Sequence, residues 1–174
     1  MSIAPVLSIV RHRVFDTIEE QAPRLEKATR RRVVICCEEQ RGQGWARRLH
    51  DAVFLSGKGA DSGDADLQEA VRYAVDAYDV DEIVLVTHTA CCHREQPERP
   101  SQVAAGSPGI LALRDRMKAH SEDLDQAKEE IRKGVGQLRW LLGDEIQLTG
   151  AVELGSSGEL LGYVEGEEDF RRIG

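Results

Sequence analysis

Val33-Val34-Ile35-Cys36-Cys37-Glu38-Glu39-Gln40-Arg41 and Ile83-Val84-Leu85-Val86-Thr87-His88-Thr89-Ala90-Cys91-Cys92 are the stretches that decide the fold. Each is a run of aliphatic, mostly β-branched residues that stops abruptly at groups able to bind metal or exchange protons. A run without polar alternation reads as a strand buried on both faces, the kind found in parallel sheets. In open α/β sheets the chemistry collects just beyond the carboxyl ends of such strands. Two neighbouring strands would then deliver Cys37 from one tip and His88 with Cys91 from the next. Two thiolates and one imidazole suit zinc, with a fourth position left open.

The chain has 174 residues, enough for one domain with a proper core and too few for two comfortable ones. The expected division is an N-terminal helical arm over residues 1–32 and a zinc-binding α/β domain over 33–174. A formal charge of -8 argues against a general nucleic-acid surface, which needs a basic stripe. The basic cluster Arg30-Arg31-Arg32 falls at an expected helix end, where cations suit the dipole. No apolar run approaches the ~18 residues of a membrane span, and the first residues lack a secretory apolar segment. The expectation is a soluble, cytoplasmic protein with no membrane or nucleic-acid partner. The four cysteines form two adjacent pairs, Cys36-Cys37 and Cys91-Cys92. Adjacent residues are poorly placed to bridge each other, and an intracellular chain is not expected to rely on disulfides. A single buried cysteine is most often a small hydrophobe. The company of His88 turns these pairs into ligand candidates.

The remaining pattern alternates helices and strands. Asp16 to about Arg30 has helical spacing, although Pro23 argues for two short pieces or a start at Pro23. Gly42–His50 reads as a short helix and Ala52–Leu55 as a second strand. The loop Ser56–Asp64 carries glycines and Lys58 but lacks the P-loop spacing and has no helix directly after the lysine. Asp66–Tyr78 is an amphipathic helix feeding a strand at Glu82–Thr87, the repeating unit of a parallel α/β sheet. Residues 93–109 are polar and proline-rich, an exposed loop. Ile110–His120 and Ser121–Leu142 read as two helices, with Ser121 capping the second. Ile146–Leu154 and Glu159–Val164 form a β-hairpin, and Glu165–Asp169 reads as a solvated acidic end. The fold class is therefore α/β, a mostly parallel sheet flanked by helices, with a C-terminal hairpin.

Cys37-Glu38-Glu39-Gln40-Arg41 and His88-Thr89-Ala90-Cys91 resemble the zinc-site motifs of the β-class carbonic anhydrases. That family carries Cys-x-Asp-x-Arg after its first strand and His-x-x-Cys after a later one. The flanking segments Asp66–His88 and Val135–Tyr163, with Thr149-Gly150-Ala151-Val152 and Gly158-Glu159-Leu160, resemble it too. The resemblance covers about residues 33–92 and 130–164. It implies zinc held by Cys37, His88 and Cys91, and reversible hydration of carbon dioxide to bicarbonate by a zinc-bound hydroxide. It also implies a catalytic pair, Glu39 and Arg41, in which the carboxylate orients the nucleophile and the guanidinium holds the carboxylate. Similar scaffolds process carbonyl sulfide or carbon disulfide, and members are usually dimers or multiples of dimers with N-terminal helices clasping the partner. The apolar face from Ile18 to Leu25 is compatible with such a clasp.

Three departures mark this chain. Glu39 stands for the family's Asp, one methylene longer. Ser56-Gly57-Lys58-Gly59-Ala60-Asp61 replaces the loop expected after the second strand. Cys92 stands where the family has a glycine, which opens a second reading: a non-catalytic protein whose zinc is closed by Cys37, His88, Cys91 and Cys92. A third is a redox sensor built on the vicinal thiols. Side chains alternate along a strand, so Cys36 and Cys37 point to opposite faces, with Cys36 expected inside. His93 is a candidate proton shuttle against the plainer reading of a surface histidine.

Overall fold

A computed structural model of the chain describes residues 18–37, 40, 43–49, 51–56, 63–91, 110–155 and 157–173, with the backbone alone for 47, 110–116, 118 and 119. The elements in order are α1 (18–27 described), β1 (Arg32–Cys36), α2 (Gly44–Arg48), β2 (Val53–Ser56) and α3 (Ala65–Tyr78). They are followed by β3 (Glu82–His88), α4 (Ile110–Leu142), β4 (Gln147–Glu153), β5 (Leu160–Val164) and β6 (Arg171–Ile173). Six strands make one sheet in the order β2-β1-β3-β4-β5-β6. The first four are parallel, and β5 and β6 add antiparallel at the edge. The expected α/β class and the C-terminal hairpin are both present.

The alternation of β1 builds two cores. Val33 and Ile35 face one side, where they meet Ile18 and Leu25 of α1, Leu67, Ala70, Val71 and Ala74 of α3, and the apolar stripe of α4. Val34 and Cys36 face the other, where they meet Trp45 and Ala46 of α2. Strands sandwiched this way have no polar face, which is why their sequence shows no alternation. On the α2 side a cavity of about 260 Å³ is lined by Trp45, Leu49, Val84, Val86, Leu160 and Ile173, among others.

Local signals set the helix ends. The Asp64 carboxylate accepts from the N–H groups of Asp66 (2.9 Å) and Leu67 (3.2 Å), and α3 stops at Asp79, whose φ of 47° is left-handed. Arg30, Arg31 and Arg32 are spent within the chain. Arg31 meets Asp79 at 3.0 Å, and both Arg30 (3.2 Å) and Arg32 (2.6 Å) meet the buried Glu82.

Four differences from the sequence reading have physical causes. Helix α1 runs unbroken through Pro23 because Ile18, Ala22 and Leu25 are all buried, which offsets the missing donor. Those residues pack in the chain's own core, so the face that looked available to a partner is already covered. Ile110–His120 and Ser121–Leu142 are one helix of 33 residues; no glycine or proline occurs before Gly134 to stop it, and Ser121 lies inside. Beyond the acidic turn, β6 adds to the open edge of β5, pairing Leu160 with Ile173. Phe170 anchors this end by stacking on Tyr163 at 5.1 Å between centroids, with Lys128 and Arg132 over its ring. The loops 57–62 and 93–109 lie outside the described residues. Among the described residues no helix is long and apolar enough to cross a membrane.

Candidate metal centre

The chain leaves β1 for β2 on one side and returns to β3 on the other. The carboxyl ends of β1 and β3 therefore flank a topological switch point, where a crevice opens in sheets of this kind. Cys37 follows β1, His88 ends β3, and Cys91 lies three residues further on. Their ligand atoms all lie within 4.8 Å of one another, and the Cys37 and Cys91 sulfurs are 3.5 Å apart. Tetrahedral zinc with Zn–S near 2.3 Å needs about 3.8 Å between two sulfurs. Both thiols are buried, at 0% and 2% exposure, so an ion there would be held largely out of water. The donor set and its spacing fit zinc.

Each candidate ligand is placed by its backbone. After Cys37 the chain curls at once, with the Gln40 N–H donating to the Cys37 carbonyl at 3.0 Å and the Gln43 N–H to the Gln40 carbonyl at 3.0 Å. After His88 it turns through Ala90, whose φ of 58° is left-handed and strained for a residue with a β-carbon. That turn is held by Thr89 N–H donating to the Glu153 carbonyl (3.0 Å) and Ala90 N–H donating to the Asp123 carboxylate (2.6 Å). The Gly155 N–H donates to the Thr89 hydroxyl at 2.9 Å. His88 Nδ1 lies 3.1 Å from the Thr89 carbonyl. A neutral ring donating there keeps its lone pair on Nε2, the buried nitrogen, as a metal ligand requires.

A second layer lies behind these three side chains. Gln40, 1% exposed, accepts from the Cys37 N–H through Oε1 (3.3 Å). Through Nε2 it donates to the Thr87 carbonyl (3.3 Å) and to Glu153 Oε2 (2.9 Å). The Trp45 indole N–H donates to the same carboxylate oxygen at 3.1 Å. Glu153 is 4% exposed and stands opposite His88 in the β3–β4 register.

Cys36 points the other way, into the core beside Trp45 and Phe54. Glu39, Arg41, Cys92 and His93 lie outside the described residues. Gln40, Trp45 and Glu153 carried no signal in the sequence. Gln40 and Glu153 are separated by 113 positions and only the fold joins them.

No protein-family model matches the sequence, and no curated protein matches it. Solved structures do. The β-carbonic anhydrase CafA of the fungal pathogen Aspergillus fumigatus superposes with a TM-score of 0.54 at 14% identity, over 94% of this chain and 91% of that one. One of two tetrameric β-carbonic anhydrases from Sordaria macrospora gives 0.51 at 17% identity, over 94% and 96%. The apo form of a carbon disulfide hydrolase gives 0.52 at 22% identity, over 91% and 90%. This chain has the β-carbonic anhydrase fold, a mixed six-stranded sheet flanked by helices.

Proposed function

We propose that this protein is a zinc enzyme that hydrates carbon dioxide reversibly to bicarbonate, with Cys37, His88 and Cys91 as the metal ligands. The observation that carries the reading is their convergence within 4.8 Å at the carboxyl ends of two adjacent parallel strands. Zinc in such a site lowers the pKa of a coordinated water to about 7 and so supplies a nucleophile at neutral pH. Glu39 and Arg41 are the proposed catalytic pair, on the strength of the motif that Cys37 begins. A carboxylate held in a bidentate pair by a guanidinium keeps a fixed direction, which is what orienting a nucleophile demands. Burial of both thiols excludes bulk water from the ligand side.

The fold is shared with a carbon disulfide hydrolase, so the substrate is tested on both molecules. Stopped-flow hydration of carbon dioxide by zinc-loaded protein is expected to exceed a Cys37→Ala control by orders of magnitude, and Glu39→Ala is expected to lose most of that rate while keeping zinc. Hydrolysis of carbon disulfide with no carbon dioxide hydration would reassign the substrate. Stoichiometric zinc with neither activity would favour the closed structural site, with Cys92 as fourth ligand. We also propose a cytoplasmic homodimer or higher homo-oligomer, supported by the tetrameric neighbours and by the apolar hollow on the α2 side of the sheet. A monomer mass by light scattering would refute the assembly.

A further inference from the structure

We infer that Glu153, acting through Gln40 and Trp45, is a positioning residue that sets the Cys37 ligand against the His88–Cys91 turn; the inference rests on the zinc reading above. One residue reaches both ligand-bearing segments. Its side-chain Oε2 takes the Gln40 amide at 2.9 Å, and Gln40 in turn accepts from the Cys37 N–H at 3.3 Å. Its main-chain carbonyl takes the Thr89 N–H at 3.0 Å, in the turn between His88 and Cys91. The two ends of the site are thus referred to a single point on β4, and Trp45 ties α2 to that point at 3.1 Å.

A carboxylate 4% exposed is a costly thing to keep in a core. Among the described residues its donors are the neutral N–H groups of Gln40 and Trp45 rather than cations. Packing alone would be served as well by a leucine, which needs no partners. What leucine cannot do is accept from two donors at once and hold Gln40 in the one orientation that presents Oε1 to Cys37.

The test compares wild type with Glu153→Leu, Glu153→Gln and Gln40→Leu in the full chain. Three readings are taken: zinc affinity by chelator competition, the visible spectrum of the cobalt(II)-loaded protein, and hydrogen exchange at the Cys37 amide in metal-free protein. Both leucine variants are expected to weaken zinc about 10- to 100-fold, the usual effect of removing a partner behind a ligand. They should also alter the cobalt bands and speed exchange at Cys37. Glu153→Gln keeps an oxygen that can accept from both donors and is expected to stay close to wild type. If Glu153→Leu does not fold, Gln40→Leu reads the same link. Folded leucine variants with wild-type cobalt bands and wild-type Cys37 exchange overturn the inference, as does Glu153→Gln behaving like Glu153→Leu. Wild-type protein that takes up neither metal overturns the zinc reading instead, and the exchange measurement then still decides whether the link to Cys37 exists.

Discussion

The seam between α4 and β4 is closely packed at Gly150, so a single methyl group there should have a large effect. Gly150 sits mid-strand, paired with Leu85 on one side and Tyr163 on the other. A β-carbon at that position would overlap Ile131 Cγ2 and would also touch Tyr163 and Val135, each at 3.4 Å. Ile131 is 0% exposed, with Ala127 and Val135 buried above and below it on the helix, so it has nowhere to go. Overpacking of this kind costs about 1–3 kcal/mol. Replacing a strand glycine returns about 0.5–1 kcal/mol of backbone entropy. The balance spans about 0–2.5 kcal/mol, and the severity of the overlap with Ile131 puts Gly150→Ala in its upper half, a net loss of about 1–2.5 kcal/mol and a fall of roughly 2–10 °C in Tm for a chain of this size.

The identity of the crowded atom sharpens the test. Ile131→Leu removes the branch at Cβ that carries Cγ2, whereas Ile131→Val keeps it. In the Gly150→Ala background the leucine change should restore part of the loss and the valine change should not, with a coupling of about 0.5 kcal/mol or more. Urea unfolding of chelator-treated protein, with the slope held common to all variants, isolates the packing effect from metal linkage. Gly150→Ala at or above wild-type stability would refute the reasoning, and so would equal behaviour of the two Ile131 replacements. The consequence reaches the site, because α4 also carries Asp123, which holds the Ala90 N–H, and Glu130, 3.5 Å from the Thr87 hydroxyl.

Metal analysis should give one zinc per wild-type chain and close to none for Cys37→Ala, while Cys36→Ala keeps the metal, since Cys36 packs beside Trp45 on the opposite face. Glu82→Gln removes the carboxylate that Arg32 meets at 2.6 Å and Arg30 at 3.2 Å, and should cost about 1–3 kcal/mol by chemical denaturation; a neutral result would mean the pair merely balances its own desolvation. Asp64→Ala strips the N-cap of α3 and should cost about 0.5–2 kcal/mol, while Asp64→Ser should recover most of it. An unchanged unfolding midpoint for Asp64→Ala would show that α3 is held by its buried face alone.

The amino-acid order by itself determined the strands, because runs such as Val33–Cys36 and Ile83–Val86 can only be satisfied with cover on both faces. It also determined which side chains end those strands, so Cys37, His88 and Cys91 could be expected to meet at neighbouring strand tips. Tertiary structure decided what spacing cannot carry. Helix α4 continues through Ser121 because a capping residue offers an end without forcing one, and no breaker follows it until Gly134. Strand β6 exists because β5 leaves an open edge, not because Arg171–Ile173 has a strand pattern of its own. The face of α1 that looked available to a partner is filled by the chain's own core. The contact from Gln40 to Glu153 joins positions 113 apart, and no local rule reports a hydrogen bond over that distance. Periodicity and side-chain chemistry are short-ranged properties of a sequence, whereas the layer behind a metal ligand is made by whichever residues the sheet order brings to one end of the strands.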